Sequence, residues 1–566
     1  MNGLRERERD GCRWRMQWGA VLAAVAIAFT APGQGLAFEI DTGNPDLAVR
    51  WENTLRYTLA DRVKKQDSHI LASPNNDDGD RNFDKGIVEN RLDVLSEFDL
   101  SYKRRHGFRV SGAFWYDDAY SGTLDGSSLA TSNHLENGQP AQGLSSYAKR
   151  YYRGPSGEFL DSFVFTGFDI GEIPVNVKFG RVTQYWGESL LLGGIINGVS
   201  YGQSSVDAQK AFAMPGTEAK ELFRPRYQAY VQSLPTKTLS VAAQYFLEYD
   251  AARLPEGGTY LGANDPLQFG GESLVIAPGV PGVRFRKGAD ISPDNSGEWG
   301  VAVRWSPEWL QGTLGAYYRN TSDIIPQVLV RPATGNYYLN YGGDVNLLGV
   351  SLSKEILGIS VGSELSYRWN MPLVSDTVLV IPGGPPGTIA SLPGNGETGG
   401  ARGNTWHGLV NFLGVISRTR LFDTASWNTE ITWNRWDQVT QNPNVFRGRE
   451  SYTGIDKARK DACAVGMNFT PTWYQVFPGV DFSSPLSFST GLGRNSGVAL
   501  SANRGSGTYS GGVSADVYTR YTFTLQYIGW FGDYATAANG SITQANGGNA
   551  LLKDRNEVVF TAKTTF

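Results

Sequence analysis

Three things are scarce in this sequence, and each absence excludes a class of protein. No apolar run of about 18 residues follows the N-terminal segment, and the mean hydropathy is -0.30, which excludes a helical multispanning membrane protein. Positive charge is not in excess, since the net charge of -4 disfavours a nucleic-acid-binding protein. Cysteine is almost lacking, with 2 in 566 residues, so disulfides cannot form the framework of the fold.

Glycine and aromatic residues, in contrast, are abundant. The chain has 69 Gly, 27 Tyr, 27 Phe and 15 Trp. Because 40% of the residues are hydrophobic and only 19% are charged, the chain has ample apolar surface to bury, which excludes intrinsic disorder. This composition is typical of a large, loop-rich all-β protein.

The first 37 residues have the features of a secretory signal peptide. An apolar stretch at residues 19–30 precedes the small-x-small sequence Gly35-Leu36-Ala37, and it follows a basic stretch that contains Arg5, Arg7, Arg9, Arg13 and Arg15. This apolar stretch is too short to span a hydrocarbon core of about 30 Å. We therefore expect residues 1–37 to be a signal peptide that is cleaved after Ala37, with residues 38–566 exported. Cys463 then has no intramolecular partner.

The exported part alternates between apolar and polar residues with a period of two. Val49, Trp51, Leu55 and Tyr57 share one face of a predicted strand, and the same alternation recurs along the chain. In Trp299-Gly300-Val301-Ala302-Val303-Arg304-Trp305 the aromatic residues flank the aliphatic ones, as they do where an apolar band lies between two aromatic girdles. Short connections also alternate with long ones. These features favour a transmembrane antiparallel β-barrel over a soluble sandwich.

We expect about 18 strands, with sixteen as the next choice, because both chain ends should lie on the periplasmic side. The opposite strand face is charged and should line the lumen. The predicted lumen-lining residues are Arg50, Glu52, Arg56, Glu89, Arg91, Asp93, Glu97, Asp99, Glu248, Arg304, Glu364, Arg368 and Glu430. They could form a selectivity surface. Alternatively, they form paired networks in the wall, because charges that share a narrow lumen tend to neutralise one another.

Long extracellular loops should carry much of the function. The segment from Gly187 to Phe223 is the best candidate for an inward-folded constriction loop, because exposed to water each of its apolar side chains would lose roughly 1.5–3 kcal/mol. The predicted gate residues are Leu190, Leu191, Leu192, Ile195, Ile196, Val199 and Tyr201. The alternative is that these side chains only pack beneath neighbouring loops.

Other long loops are apolar as well. They contain Leu274-Val275-Ile276, Val328-Leu329-Val330 and Val378-Leu379-Val380-Ile381. An apolar vestibule above a charged lumen suggests capture of a hydrophobic or amphipathic molecule, although mutual packing of the loops would explain the same residues.

The sequence offers little sign of catalysis or metal binding. Gly198–Gly202 and Gly358–Gly362 match G-x-S-x-G, but neither has the strand-turn-helix context of a hydrolase elbow. The four histidines lack the spacing of metal ligands. Residues 75–80 (NNDDGD) resemble a calcium loop in composition only, so a solvated turn is expected, with calcium as the alternative. We expect no enzyme, cofactor or metal.

Several blocks of sequence are similar to a family of Gram-negative outer-membrane proteins, DUF1302. They are residues 49–57 (VRWENTLRY), 76–100, 180–189 (GRVTQYWGES), 197–223 and 253–261 (RLPEGGTYL), and the resemblance covers essentially the whole exported chain. The family has no established catalytic residues. The resemblance implies passage of lipid-, steroid- or hydrocarbon-like compounds, with a periplasmic lipoprotein-like protein and an RND-type permease as partners.

Together these observations predict a channel in the outer membrane of a Gram-negative bacterium, in contact with lipid and lipopolysaccharide. Apolar surface loops would capture a hydrophobic or amphipathic small molecule, and a lumenal loop would gate its passage. The alternatives are a general porin for polar or anionic solutes and a hydrolase built into the barrel. The composition predicts no nucleic-acid partner.

Overall fold

The structure is a computed structural model that describes residues 38–121, 124, 128–213, 222–276 and 283–566. The predicted signal peptide, residues 1–37, lies outside these ranges, and so do residues 214–221 of the predicted constriction loop. No helix of the described residues is both long and apolar enough to cross a membrane.

Eighteen antiparallel strands form a closed barrel, which confirms the predicted fold. The strands are β1 Leu47–Arg62, β2 Gly86–Tyr102, β3 His106–Asp117, β4 Ser156–Ile170, β5 Ile173–Val182, β6 Arg226–Thr236, β7 Leu239–Phe246, β8 Trp299–Trp305, β9 Gly312–Thr321, β10 Val345–Ile356, β11 Ile359–Pro372, β12 Arg402–Ile416, β13 Thr424–Gln441, β14 Asp461–Phe477, β15 Val480–Ser483 with Leu486–Leu492, β16 Gly507–Val517, β17 Tyr521–Phe531 and β18 Glu557–Thr565. The barrel closes where β18 pairs with β1, from Thr54 opposite Thr565 to Arg62 opposite Glu557. Pro485 lies in the break within β15, because proline has no N–H to donate to a neighbouring strand.

The two faces of the strands carry opposite chemistry. On β8, Trp299, Val301, Val303 and Trp305 are 40%, 40%, 41% and 42% exposed, whereas the intervening Ala302 is buried. The same alternation recurs around the barrel. Exposed apolar side chains lie outside and buried polar side chains lie inside. An apolar outer band over a polar interior is the arrangement that a lipid bilayer requires of a barrel.

The two ends of the barrel differ in the length of their connections. Tight turns join β2 to β3, β4 to β5 and β10 to β11 at the end that holds both described termini. At the last of these turns Leu357 and Gly358 both have positive φ angles, 53° and 79°, as a two-residue hairpin of this twist requires. The long connections all lie at the other end and comprise residues 63–85, 118–155, 183–225, 247–298, 322–344, 373–401, 442–460, 493–506 and 532–556.

The long loops pack on one another to form a layer over the barrel. Six short strands form a sheet within it: Ser273–Val275, Arg284–Lys287, Gln327–Arg331, Asn336–Asn340, Val378–Val380 and Thr388–Ile389. Leu329, Val378 and Val380 are fully buried in the core beneath this sheet. Half of the apolar loop residues noted in the sequence are therefore buried by neighbouring loops, and Ile276 and Leu379 are exposed.

Smaller elements complete the described structure. The remaining short strands are Phe38–Ile40, which pairs with β1, and Leu135–Glu136, Gln139–Pro140, Ser205–Val206, Phe223–Arg224, Tyr534–Thr536 and Ile542–Ala545. Helical turns occur at Ser68–Leu71, Asp78–Asn82, Asp118–Tyr120, Ser146–Ala148, Lys149–Arg153, Leu192–Asn197, Ala208–Ala213, Pro332–Thr334, Pro443–Val445 and Gly548–Leu551.

Part of the barrel interior is filled by a hydrophobic core. Trp115 on β3, Leu160 on β4 and Val559 on β18 point inward and pack with loop residues that include Tyr152 and Tyr260. This core occupies the loop end of the lumen on the side of β1–β4, β17 and β18. The opposite side of the lumen is occupied by the connection between β5 and β6.

Candidate functional site

The connection between β5 and β6 folds into the barrel and crosses the inner wall. We call residues 186–203 the strap; they include the helical turn Leu192–Asn197. Their contacts run from β7, at Gln244, to β14, at Gly466. The strap therefore lies against about half of the circumference of the barrel.

Two wall carboxylates hold the N–H groups of the strap. Glu364 on β11 accepts hydrogen bonds from the backbone N–H groups of Glu188, Ser189 (3.1 Å) and Val199 (2.6 Å). Glu430 on β13 accepts from the backbone N–H groups of Leu190 (2.7 Å) and Leu191 (3.2 Å). Each carboxylate thus satisfies backbone donors that the irregular strap would otherwise leave buried and unpaired.

Glycines in the strap make this close approach possible. A Cβ on Gly187 would overlap a carboxylate oxygen of Glu364, and a Cβ on Gly194 would overlap the carboxylate of Glu430. Gly187 also has a φ of +92°, which other residues rarely adopt. Positions 187 and 194 must therefore be glycine for the strap to lie this close to the two carboxylates.

Two wall arginines hold the carbonyl groups of the strap. Arg319 Nη1 on β9 donates to the carbonyl oxygens of Val199 (2.9 Å) and Tyr201 (2.6 Å). Arg368 Nη2 on β11 donates to those of Ile196 (3.0 Å) and Gly198 (2.9 Å). Side chains of the wall thus bind both the N–H groups and the carbonyl groups of the strap backbone.

Side chains of the strap add polar contacts of their own. Asn197 Oδ1 lies 3.0 Å from His407 Nδ1 on β12 and accepts from Asn434 Nδ2 on β13 at 3.1 Å. Gln203 Nε2 donates to Gln244 Oε1 at 2.9 Å. These contacts attach the strap to the wall at the end of its helical turn and at its last residue.

All seven predicted gate residues belong to the strap, inside the barrel. Ile196, Val199 and Tyr201 are buried, and Ile196 and Tyr201 pack with Ile324, Val345 and Met371. Leu191 lies over Gly466 of β14, Ile195 is half-buried and Leu190 is 44% exposed. The side chain of Leu192 lies outside the described residues.

The predicted lumen-lining residues divide into two groups. Glu364, Arg368 and Glu430 contact the strap directly, and Arg304 Nη2 lies 3.6 Å from Glu188 Oε1. The other group follows β1 and β2, where Arg56, Glu89, Arg91, Asp93 and Glu97 are buried on the inner face, with Arg50, Glu52 and Asp99 nearer the end that holds the termini.

Charges of this second group are paired within the wall. Arg91 donates two hydrogen bonds of 2.9 Å to Asp93, and Arg56 lies 3.9 Å from the same carboxylate. Glu248 differs from the rest, because it lies beyond the end of β7 and pairs at the rim with Arg181. The alternation places Glu248 on the inner face of a strand, but the strand ends at Phe246, so Glu248 lies at the rim.

Some residues at the site were not predicted from the sequence. Arg319, His407, Asn434 and Gln244 all hold the strap. A signal for Arg319 was present, because the period of two places it on the face opposite Tyr318. For the others, the sequence shows a polar residue in a strand but not what it touches.

The chain that follows the strap reaches the opposite wall. Asp207 Oδ2 lies 2.8 Å from Arg253 Nη1, and Lys210 Nζ lies 3.4 Å from Glu158 Oε1 of β4. Arg253 also pairs with Glu158, at 3.0 Å. The connection between β5 and β6 is therefore anchored on both sides of the lumen.

The acidic segment at residues 75–80 is buried and is not the solvated turn that the sequence predicted. Asp77 and Asp78 lie with Asp265, and one carboxylate oxygen of each lies within 4.8 Å of the others, so this group could hold a cation. Burial and the neighbouring Asp77 raise the pKa of Asp265 to about 7, and burial with Asp265 raises the pKa of Asp78 well above its usual value.

The two G-x-S-x-G matches have no elbow geometry. Gly198–Gly202 lies in the strap, and Gly358–Gly362 leads from a tight turn into β11. A hydrolase elbow places its serine between a strand and a helix of an α/β sheet. The described fold offers neither serine that setting.

The sequence matches one family over nearly its full length. The family is DUF1302, described as a protein of unknown function, and the match covers residues 18–566. The chain belongs to the DUF1302 family. No curated protein matches this DUF1302 chain in sequence.

Solved structures that are similar to this DUF1302 chain are outer-membrane porins with low sequence identity. OccAB4 of Acinetobacter baumannii is 8% identical, with a TM-score of 0.42, covering 94% of this chain and 99% of its own. OpdK of Pseudomonas aeruginosa, solved with vanillate, is 9% identical, with a TM-score of 0.40 and 92% and 98% covered. A BenF-like porin of Pseudomonas fluorescens Pf-5 is 9% identical, with a TM-score of 0.39 and the same coverage.

Proposed function

We propose that this DUF1302 protein is an outer-membrane channel for small polar solutes, which the strap closes and opens. The observation that carries the proposal is the strap itself, held in the lumen of a closed barrel by Glu364, Glu430, Arg319 and Arg368. The apolar outer band supports a place in the membrane. The tight turns and both described termini would face the periplasm, and the loop layer would face outward.

The strap suits a gate because its backbone is held by polar side chains of the wall, while Trp186 and Val199 also pack on apolar wall residues that include Tyr317 and Leu347. A hydrogen bond to a charged group within a protein contributes only about 1.5–3 kcal/mol net, since water can replace either partner. Water entering the lumen can therefore take over the groups that Glu364 and Arg368 now hold. The wall residues that bind the strap backbone are charged, so the opened path would present Glu364, Arg319 and Arg368 to a passing solute.

The hydrophobic cargo suggested by the sequence stays a prediction. Half of the apolar loop residues behind it are buried by one another, as Leu329 and Val378 show, whereas Ile276 and Leu379 are exposed. The wall beside the strap offers charges and amides to a passing molecule. Polar solutes therefore fit the described lumen better than lipid-like ones.

Several further expectations also remain predictions. They are cleavage after Ala37, the lipoprotein-like and permease partners, and the absence of catalytic activity. The match to DUF1302 supports none of them directly, because its description states no function.

Swelling of proteoliposomes tests the proposed cargo class. Folded protein should admit small amino acids and monosaccharides slowly, with rates that fall steeply as solute size rises, because the strap leaves little free lumen. A fluorescent long-chain fatty acid, followed in the same vesicles, should not enter faster than it does in protein-free vesicles. Protein that carries the fatty acid but admits no polar solute would contradict the proposal and favour the hydrophobic cargo.

A further inference from the structure

Two arginines under the strap lack the carboxylate partner that most of the buried arginines have. Arg62, Arg91 and Arg226 are buried and pair with Asp80 (2.7 Å), Asp93 (2.9 Å) and Glu298 (2.8 Å). Arg319 and Arg368 are both 0% exposed, yet no carboxylate of the described residues lies within 4.0 Å of either. Arg368 Cζ lies 4.4 Å from the ring centroid of Tyr201, which offsets part of its charge. A buried charge without a paired carboxylate is still costly, so this arrangement calls for an explanation.

In the part of the chain that the structure describes, two of the three guanidinium nitrogens of each arginine are also without an acceptor. Arg319 Nε and Nη2, and Arg368 Nε and Nη1, have no acceptor among the described residues. Each guanidinium instead uses one nitrogen to bind two carbonyl oxygens of the strap. The planar fork of a guanidinium matches an oxyanion with two oxygens better than it matches separate carbonyl groups.

The two arginines stand in one row across the wall. Arg319 of β9 and Arg368 of β11 both pair with Leu347 of β10, which lies between them. Since neighbouring strands lie about 4.8 Å apart, the two Cα atoms are separated by roughly 10 Å. One small solute with an oxyanion at each end could bridge that distance. Alternatively, a solute with a single oxyanion could bind the two arginines one after the other.

We propose that Arg319 and Arg368 form the solute-binding site of the channel and that they take the carboxylate group of a small organic anion. This proposal rests on the proposed function. The strap carbonyl oxygens of Ile196, Gly198, Val199 and Tyr201 occupy the site in the closed state. A carboxylate competes for the same N–H groups, and because it carries a full charge it binds them more strongly than a carbonyl does.

This competition links cargo to opening. A solute that binds only when the strap has left multiplies the ratio of open to closed channels by one plus its concentration divided by its dissociation constant. Carboxylates would therefore both permeate and promote opening. Neutral solutes of the same size would permeate more slowly and would promote opening less. Inorganic phosphate shares the oxyanion chemistry, so it must be compared separately.

The test compares succinate with succinamide, its neutral analogue, in vesicles that contain the full-length barrel. Wild type should admit succinate about tenfold faster, a ratio that corresponds to about 1.4 kcal/mol. The variant R319Q/R368Q should admit the two at similar rates. R402Q is the matched control, because Arg402 is also buried without a carboxylate partner but donates to loop atoms, including Gly343 O at 2.7 Å, and not to the strap. Its ratio should equal that of wild type.

The outcomes separate this proposal from the proposed function. If no polar solute enters the vesicles, the channel itself is excluded. If succinate and succinamide enter wild type equally fast, or if R319Q/R368Q keeps the succinate preference, the carboxylate site is excluded and the channel stands. Phosphate entering as fast as succinate would overturn the choice of carboxylate. If the double variant does not fold, R319Q and R368Q singly should each lower the ratio about threefold, and an unchanged ratio in both would exclude the site.

Discussion

Removal of Leu190–Tyr201 is expected to raise the conductance of the barrel in planar bilayers about tenfold, because barrels of this strand number leave an aqueous channel when no loop fills it. The deletion joins Ser189 to Gly202, and the segments that flank it already touch, since the Trp186 N–H donates to Gln203 Oε1 at 2.9 Å. It removes the groups bound by Glu430, Arg319 and Arg368 and leaves a polar wall.

The control for this deletion is the loss of residues 538–540, an exposed turn in the loop between β17 and β18 that lies outside the lumen. That variant should conduct as wild type does. Conductance that stays at the wild-type level after loss of Leu190–Tyr201, in protein shown to be folded, would mean that the strap is not the constriction. The gating part of the proposed function would then be wrong.

Replacement of Leu525 by arginine is expected to cost about 2–4 kcal/mol of barrel stability in lipid, because its side chain lies on the outer face near the middle of β17. Thr524, one position earlier, faces the lumen, where its hydroxyl lies 2.8 Å from Ser514 Oγ. Thr524→Arg should cost much less, since an arginine in that position can remain hydrated.

Unfolding in urea from lipid vesicles measures both variants against wild type. The predicted order of stability is wild type, then Thr524→Arg, then Leu525→Arg. Equal losses for the two arginine variants, or a larger loss for Thr524→Arg, would contradict the assignment of the two faces. The pair differs by one residue along the same strand, so depth in the bilayer is nearly matched.

The sequence predicted the barrel well because a period of two is local information. The exposed Trp299, Val301 and Trp305 and the buried Ala302 follow from alternation alone. The expected strand number, about 18 with sixteen as the next choice, rests on the same alternation counted segment by segment. The predicted signal peptide is untested, since residues 1–37 lie outside the described structure.

The contacts of the strap could not be predicted in the same way. Glu364 was recognised as a lumen residue, but its partner Val199 is 165 positions away, and strand alternation carries no information about such pairs. The prediction of a solvated turn at residues 75–80 was wrong for the same reason. Its burial depends on Asp265, from a loop 187 positions along the chain.

A disulfide between the strap and the wall tests the account most directly. A Cβ on Gly349 of β10 would overlap Val199 Cγ1, so cysteines at these two positions should bond, in a background where the free Cys463 is replaced by serine. Oxidised V199C/G349C protein should show no openings in planar bilayers, and reduction should restore the openings of the Cys463→Ser background. Openings of equal frequency before and after reduction, with the disulfide verified by mass, would contradict the claim that movement of the strap opens the channel.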